Sequence, residues 1–433
     1  MQLRDYQRDM IDRCRTAYGS GARAPLVVVP TGGGKTVIGS YATAGAVDRG
    51  GRVLWLAHRR ELIDQAAARM VRPTGRVMAG RPVDASAPIQ VASVDTLQAR
   101  GDLPDADLVV VDEAHHATAN KIRTILERYP RARLLGLTAT PQRSDGTALG
   151  DVFDALVEGP TVAEMIAAGH LVEVDVVGPA DPGKALALDP VQAWLRYADG
   201  RPGFVFARTV KQSQEISAAL QMAGVVAAHV DGTTAKGARD RTVELFRRGA
   251  IDVLSSVGVF TEGTDLPRAA VILLARGCDH VGTYLQMVGR GLRPAPGKGR
   301  ALVVDLLGSV HKHGLPDDPR VWSLEGRAVR DARDEVPALT QCLGCGAVWR
   351  SGARRVCGRC GWEMPAPPAP KVAEREMVDL RDRLRPHVEG LRPHAPAEAK
   401  ARKLADLRST AAARGYKPGW VQARFRAIYG HAP

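Results

Sequence analysis

A glycine-rich segment, VPTGGGKT at positions 29–36, has the residues needed to hold a nucleoside triphosphate. It follows an apolar run and opens a helical pattern, so its glycines can turn tightly and point backbone N–H groups at phosphate oxygens. Lys35 can reach the β- and γ-phosphates, and the Thr36 hydroxyl can hold Mg²⁺. The alternative, a glycine-rich turn without a ligand, does not require this order of strand, loop and helix. The other expected contacts of the loop are Thr31, Gly32, Gly33 and Gly34.

Two adjacent carboxylates end a later apolar run in the segment LVVVDEAHH, positions 108–116. Asp112 would bind Mg²⁺ directly or through water, and Glu113 would polarise the attacking water. One carboxylate for the metal and one for the base is what phosphoryl transfer to water needs. An acidic strand end is also a common surface feature, but its place in a strand after the phosphate loop favours the catalytic interpretation.

Four of the six cysteines form two close pairs, Cys342-x2-Cys345 and Cys357-x2-Cys360. A glycine follows each pair, which permits a tight knuckle around the thiolates. The spacing predicts a four-cysteine zinc ribbon with a structural metal, because four protein ligands leave no open position. Disulfides and a rubredoxin-like iron site are the alternatives, and a reducing compartment disfavours the former.

The elements that carry these residues follow a repeated α/β pattern. Continuous apolar runs alternate with helical stretches, which is typical of parallel strands buried on both faces. The first set of predicted strands covers 26–29, 53–57, 89–92, 108–111 and 134–137, and the second covers 204–207, 225–230, 252–255, 271–274 and 301–306. We expect two doubly wound α/β domains with ligands at the carboxyl ends of the strands.

The predicted domain boundaries follow from changes in composition. The first α/β domain takes 1–177, a Pro/Gly-bearing linker 178–190, and the second α/β domain 191–320. The zinc ribbon takes 338–364, a Pro-rich spacer 365–372, and a basic helical tail 373–433. The tail contains an amphipathic stretch at 414–430, which is either a small docked cap or a contact to nucleic acid.

The charge of the chain favours a polyanionic partner. The 433 residues carry a net charge of +13, with a pI of about 9.7. Lysine and arginine displace condensed counterions from a phosphate backbone, although a basic soluble protein is the plainer interpretation. The apolar runs are too short for a bilayer, and MQLRDYQRDM lacks a signal-peptide core. We therefore expect a cytoplasmic, nucleoid-associated protein with no membrane partner.

The order of four motifs resembles that of superfamily 2 helicases. PTGGGKT, DEAHH, LTATP at 137–141 and QMVGRGLRP at 286–294 look like motifs I, II, III and VI of that superfamily. The resemblance covers about residues 1–310 and implies two RecA-like domains and a nucleic-acid-dependent ATPase. Arg290 and Arg293 match arginine fingers, which would reach the γ-phosphate only when the second domain closes on the first.

The same resemblance implies further contacts. Gln7, in LRDYQRDMI, would read the adenine edge, and Gly263 and Asp265 occupy the matching positions of motif V. His115 would couple the γ-phosphate to the second domain, whereas His116 is interpreted as a surface or core residue. The expected contacts to a nucleic-acid strand are Arg59, Arg60, Thr96 and Thr209, for which helix capping or solvation is the alternative.

The predicted zinc ribbon carries its own candidate contacts. Arg350 and Arg355 lie near Trp349, and positive charge beside an aromatic ring suits single-stranded nucleic acid. Equally, Trp349 and Trp362 could close the small core of the ribbon.

A helicase core followed by a four-cysteine ribbon resembles the RadD-type bacterial DNA repair helicases and their phage relatives. The resemblance implies ATP, Mg²⁺ and Zn²⁺ as cofactors and single-stranded or branched DNA as partner. It also implies work in repair, recombination or replication, where single-strand binding protein or other repair proteins would be partners. A duplex-DNA translocase or remodeller, an RNA helicase and an adaptor with a vestigial ATPase are the alternatives.

Overall fold

The computed structural model describes residues 3–58, 60–142, 147–179, 185–261, 265–325, 339–364, 397–414, 419–422 and 425. The chain divides into two compact units, Met1–Met364 and Pro365–Pro433. The predicted Pro-rich spacer, 365–372, lies outside the described residues. No helix in the described part of the chain is both long and apolar enough to cross a membrane.

The first domain is built on a parallel sheet with strand order β3-β4-β2-β5-β6-β1-β7. Its strands are β1 (Pro25–Val28), β2 (Val53–Ala57), β3 (Thr74–Val77), β4 (Ile89–Ser93), β5 (Leu108–Asp112), β6 (Arg133–Thr138) and β7 (Ala155–Glu158). The central strands β1, β2 and β5 are buried along their whole length, as their continuous apolar sequence predicts. The neighbouring strands β1, β6 and β5 therefore bring their carboxyl ends to one edge of the sheet.

Helices cover both faces of this sheet. They are α1 (Asp5–Gly19), α2 (Lys35–Val47), α3 (Arg60–Arg69), α4 (Val94–Arg100) and α5 (Asn120–Glu127), with a short 3-10 helix at Ala114–His116. Helix α6 (Val162–Ala167) follows β7, and its Met165 packs in the apolar cluster of the second domain. Two apolar clusters result, one on each face. Trp55 and Ile38 belong to the cluster beneath α1 and α2, and Phe153 and Ile125 belong to the other.

The second domain has a sheet in the order β10-β11-β9-β12-β13-β8-β15-β14. Its strands are β8 (Glu173–Val177), β9 (Gly203–Ala207), β10 (Ala227–Val230), β11 (Val253–Ser256), β12 (Val271–Ala275), β13 (Arg300–Asp305), β14 (Leu339–Gln341) and β15 (Ala347–Arg350). Its helices are α7 (Pro190–Tyr197), α8 (Val210–Met222), α9 (Lys236–Arg248), α10 (Val281–Gly289) and α11 (Ser309–His313). Strands β8 to β13 are parallel, so the predicted class of two tandem parallel-sheet domains is confirmed.

The boundary predicted at residue 177 differs from the structure. Strand β8 lies before that boundary but pairs with β13 of the second sheet, as Val176 opposite Val303 shows. The chain therefore passes from the first sheet to the second between the end of β7 at Glu158 and the start of β8 at Glu173. Sequence pattern identifies a strand but not its neighbour, and the last residue of the predicted linker, Pro190, already begins α7 of the second domain. Within that predicted linker, 180–184 lies outside the described residues.

The four-cysteine ribbon is joined to the second sheet rather than forming a separate small domain as predicted. Strand β15 pairs antiparallel with β8, placing Ala347 opposite Val177. Trp349 is 4% exposed and packs in the same apolar cluster as Trp194 of α7. Of the two interpretations of Trp349, the structure thus favours core closure. The ribbon uses the core of the second domain because its own hairpin is too small to bury much surface.

The C-terminal unit is helical where it is described, as the sequence of the tail predicts. Helix α12 (Ala397–Arg414) has Leu407 buried against Phe425. Leu404, Trp420 and Val421 pack around this pair.

Candidate functional site

The phosphate loop connects β1 to α2 at the carboxyl edge of the first sheet. Gly32 and Gly34 have φ of +91° and +83°, a left-handed conformation that glycine adopts without strain. The Gly33 carbonyl accepts a hydrogen bond from Tyr6 Oη at 2.7 Å. Lys35 and Thr36 begin α2, so their side chains stand at the N-terminal end of a helix. Backbone N–H groups at such an end favour a bound anion.

The two predicted carboxylates lie across from this loop. Asp112 ends β5 and Glu113 follows with a φ of +50°, and both residues are 5% exposed. Lys35 Nζ lies 3.4 Å from Glu113 Oε1, so the cation of motif I neutralises part of this charge. Burial raises the pKa of Asp112 to about 6, and the neighbouring Glu113 charge acts in the same direction. A bound cation would favour the ionised carboxylate, which makes this pair a fitting site for Mg²⁺.

Gln7 on α1 contacts the phosphate loop directly. Its Oε1 accepts from the Arg4 N–H at 3.1 Å, and its Nε2 donates to the Gly33 carbonyl at 3.4 Å. The amide also lies against Gly34, where an added Cβ would collide with it. The predicted adenine-reading residue is therefore hydrogen-bonded to the loop that is predicted to bind the phosphates.

The second domain supplies the two arginines. Arg290 is 5% exposed and donates from Nη2 to the Thr261 carbonyl at 2.8 Å. Arg293 donates from Nη1 to Asp265 Oδ1 at 2.6 Å. A Cβ added to Gly32 would lie 3.3 Å from Arg293 Cγ, so this side chain rests on the phosphate loop. Both arginines come from the C-terminal end of α10 and the turn that follows it.

One cleft of about 420 Å³ collects these residues from both domains. The first domain contributes Gln7, Thr31, Gly32, Gly34, Lys35, Thr36, Asp112 and Glu113, and the second contributes Asp265, Arg290 and Arg293. Gly33 is not among the residues that line the cleft, its carbonyl is bound by Tyr6 and Gln7 of α1, and Gly263 lies outside the described residues. The cleft thus has basic side chains from both domains around an acidic pair. This arrangement suits a triphosphate with a divalent cation.

Helix α10 carries two glycines at the boundary between the domains. A Cβ on Gly289 would lie 2.5 Å from Thr31 Cβ, and one on Gly282 would lie 2.9 Å from Thr140 Oγ1. The two positions are seven residues apart and therefore lie on one face of the helix. This face contacts motif I and motif III of the first domain. So close a contact is possible only because Gly282 and Gly289 have no side chain.

The four ribbon cysteines converge on one point. Their sulfur atoms all lie within 4.8 Å of one another, with Cys342 and Cys360 Sγ 3.5 Å apart and Cys345 and Cys357 Sγ 3.7 Å apart. Four sulfurs bound tetrahedrally to Zn²⁺ at about 2.3 Å would be separated by about 3.8 Å. The sulfur positions therefore fit a tetrahedral metal site.

Two family models match the chain. Residues 1–143 match the model described as type III restriction enzyme, res subunit, and residues 187–295 match helicase conserved C-terminal domain. A 51.5 kDa protein of a Lactococcus phage is 31% identical over 360 residues, covering 78% of this chain and 77% of the relative. The chain belongs to the superfamily 2 helicases. It is a nucleic-acid-dependent ATPase, as that membership requires.

Cellular relatives of this helicase are similar over part of their length. The Saccharomyces cerevisiae protein named as ATP-dependent helicase IRC3 is 30% identical, with 71% of this chain and 52% of the relative covered. A Haloarcula marismortui protein named as DNA 3'-5' helicase Rad25 is 28% identical, with 79% and 59% covered. The chain therefore spans between about half and three fifths of these two relatives.

Solved structures show the same fold. A fragment of an HsdR subunit of a type I restriction enzyme from Vibrio vulnificus has a TM-score of 0.58 at 21% identity, covering 72% of this chain and 65% of the other. Saccharomyces cerevisiae Dbp5, bound to RNA and ADP BeF3, has a TM-score of 0.53 at 15% identity, covering 72% and 91%. Both similarities support the two-domain RecA-like fold of this helicase.

Of the four nucleic-acid contacts predicted in the two domains of the helicase, two lie outside the described side chains and two bind backbone N–H groups of the protein. Arg59 and the side chain of Arg60 lie outside the described residues. Thr96 is 9% exposed and its hydroxyl accepts from the Ala79 N–H at 3.1 Å, which leaves little surface for a strand. Thr209 caps α8 by accepting from the Gln212 N–H, the alternative considered for it.

The two predicted contacts on the ribbon of the helicase also bind other protein groups. Arg350 Nε lies 2.5 Å from Asp318 Oδ1, and Arg355 donates to the Met364 carbonyl at 3.2 Å. Arg355 is exposed, whereas the carboxylate that Arg350 binds is buried.

Four contacts at the helicase site were not predicted from its motifs. Arg69 of α3 lines the cleft and pairs with Asp265 Oδ2 at 2.9 Å, joining the two domains. His116, predicted as a surface or core residue, has its ring 4.1 Å from that of His115 and 4.8 Å from that of His58. His115 in turn lies 3.2 Å from the Thr138 hydroxyl of motif III. Spatial proximity identifies these contacts, since the partners lie far apart in the sequence except for the neighbours His115 and His116.

Proposed function

We propose that this helicase couples ATP hydrolysis to movement along DNA and to strand separation, in DNA repair, recombination or replication. The observation that carries the proposal is the single cleft in which Lys35 and Glu113 of the first domain face Arg290 and Arg293 of the second. A cleft assembled from two domains makes hydrolysis depend on their closure. Repeated closure and opening is the motion that a translocating motor needs.

The proposed chemistry assigns one task to each side chain. Lys35 binds the β- and γ-phosphates, and Thr36 and Asp112 hold Mg²⁺, which would neutralise phosphate charge when bound. Glu113 orients the attacking water and accepts its proton. Its neighbour Lys35, at 3.4 Å, holds this carboxylate beside the γ-phosphate position.

The arginines complete the proposed site from the second domain. Arg290 and Arg293 supply positive charge as negative charge develops on the transferred phosphoryl group. Gln7 and Asp265 contact the nucleoside end. Asp265 also binds Arg69 and Arg293. Its carboxylate would therefore contact both the nucleotide and the arginine finger Arg293.

DNA is the proposed substrate for three reasons. The net charge of +13 favours a polyanion. The archaeal relative is named as a DNA helicase, and the matching family model takes its name from restriction enzymes. The four-cysteine ribbon after the motor resembles the arrangement in RadD-type helicases.

We propose structural Zn²⁺ at the ribbon, held by Cys342, Cys345, Cys357 and Cys360, because the sulfur spacing fits a tetrahedral ion.

A duplex-DNA translocase that does not separate strands is the second candidate. The family model matched by residues 1–143 favours it, since that family is named for a subunit of type III restriction enzymes. In that case DNA duplex, rather than single strands, would be the activating ligand.

The test is steady-state ATP hydrolysis with no nucleic acid, single-stranded DNA, duplex DNA or single-stranded RNA. Stimulation by single-stranded DNA, followed by unwinding of a forked substrate, supports the first proposal. Stimulation by duplex alone supports the translocase, and stimulation by RNA alone refutes both. Lys35→Ala is the control, because loss of hydrolysis with retained DNA binding assigns the turnover to this cleft.

A further inference from the structure

Residues 315–325, which we call the strap, follow α11 and leave the second domain. Arg320 fixes the start of the strap by donating to four backbone carbonyls, those of His313, Leu315, Pro316 and Asp318, at 2.8–3.2 Å. Asp318 Oδ2 accepts from the Leu315 N–H at 2.7 Å. These bonds give the strap a defined path although it contains no helix or strand.

One side of the strap is bound to the zinc ribbon. Asp318 Oδ1 lies 2.5 Å from Nε of Arg350, which ends β15 of the ribbon hairpin. The Asp318 side chain is 6% exposed and that of Arg350 is 41% exposed, so solvent screens this ion pair only from the arginine side. A shift of the hairpin would therefore move the strap or leave a buried carboxylate without its cation.

The other end of the strap is bound to the first domain. The Leu324 carbonyl accepts from the Gly150 N–H at 2.8 Å. Trp322 and Leu324 pack against the first-domain cluster that contains Phe153. Val321, between the two anchors, is 95% exposed, whereas Trp322 and Leu324 are partly buried.

The strap also borders the boundary between the motor domains. A cavity of about 80 Å³ lies there, lined by Thr31 of the first domain, Gly289 of the second, and Arg320 and Trp322 of the strap. Thr31 borders the ATP cleft on its other side. The strap therefore contacts both domains where α10 meets the phosphate loop.

We propose that the strap couples the zinc ribbon to closure of the ATP cleft, with Arg350, Asp318 and Trp322 as positioning residues. The strap favours the arrangement in which Arg290 and Arg293 face the phosphate loop, and the ribbon holds the strap. This gives Arg350 a task other than the DNA contact predicted for it. The inference rests on the proposed function, because the effect is read through ATP hydrolysis.

The test compares kcat and KM for ATP, at saturating single-stranded DNA, in variants of the full chain. Trp322→Ala and Arg350→Ala should each lower kcat about fivefold or more while KM changes less than about twofold, since coupling energies of this kind reach that size. Arg350→Lys should restore most of kcat by keeping the charge. Val321→Ala, whose side chain is exposed beside Trp322, is the matched control and should match the wild type.

A second readout does not depend on catalysis. Hydrogen exchange of the segment 147–153 should quicken in Arg350→Ala, although that segment does not contain the substituted residue, because the Gly150 N–H loses a fixed acceptor. Wild-type exchange there together with wild-type kcat would overturn the proposal. An equal loss in Val321→Ala, or a rise in KM as large as the loss in kcat, would also overturn it. A wild-type protein that hydrolyses no ATP would instead refute the proposed function, and the exchange measurement would still decide the strap.

Discussion

Replacing Gly289 by alanine should impede the domain closure on which hydrolysis depends. The new Cβ would lie 2.5 Å from Thr31 Cβ and 2.9 Å from Thr31 Cγ2. Carbon atoms in contact are about 3.5–4.0 Å apart, so the domains must separate by roughly 1 Å or the loop must shift. Overpacking of this kind costs about 1–3 kcal/mol. At about 1.4 kcal/mol for each factor of ten, kcat/KM for ATP should fall roughly five- to 150-fold.

The substitution should not destabilise the second domain itself. Gly289 ends α10 with an ordinary helical φ, and alanine favours a helix over glycine by about 1 kcal/mol. Gly237→Ala, in α9, makes the same change where no atom lies within 4 Å of the new Cβ. Gly282→Ala should fall between them, because the one close contact of its Cβ would be with the Thr140 hydroxyl, at 2.9 Å, and the next nearest atom is 3.7 Å away.

The assay is DNA-stimulated ATP hydrolysis, with thermal unfolding as the check on folding. The loss of ATP turnover should be largest in Gly289→Ala, smaller in Gly282→Ala and absent in Gly237→Ala. Wild-type turnover in Gly289→Ala, at unchanged stability, would refute the argument that α10 must approach the phosphate loop this closely.

Three further substitutions test other parts of the site. Arg290→Ala should keep ATP binding but lose hydrolysis by about a thousandfold or more, and a normal single-turnover rate would remove the finger role. Arg69→Ala should lower kcat by less than about fivefold, because its ion pair with Asp265 is half-exposed; a complete loss would show that Arg69 contacts the nucleotide itself. Metal analysis should find about one zinc per chain, lost together with stability in Cys342→Ser, and a folded metal-free wild type would exclude the zinc site.

The sequence was most informative where one short segment contains the whole chemical unit. A phosphate loop needs only its own backbone, one lysine and one hydroxyl, so Lys35 and Thr36 could be predicted from eight consecutive residues. The cysteine pairs are similar, because two knuckles define a metal site by spacing alone. In each such unit the functional residues are close together in the sequence, so their spacing along the chain constrains their geometry.

The partners of single polar or aromatic side chains could not be predicted in this way. Thr96 and Thr209 lie in segments that resemble strand-contact motifs, yet their hydroxyls bind Ala79 and Gln212 backbone N–H groups. A polar residue at a strand end serves either purpose, and only its neighbours in space decide which. The ring contacts of His116 with His58 and His115 were missed for the same reason.

The sequence by itself determined the two-domain α/β class, the phosphate-loop and carboxylate pair, and the cysteine cluster, since each depends on local periodicity or spacing. Tertiary structure alone decided that β8 joins the second sheet, that the ribbon extends this sheet, and that the strap returns to the first domain at Gly150. It also decided that Gly289 abuts Thr31. Those features depend on which surfaces meet after the chain has folded, and hydrophobic patterning specifies that a surface is buried without specifying its partner.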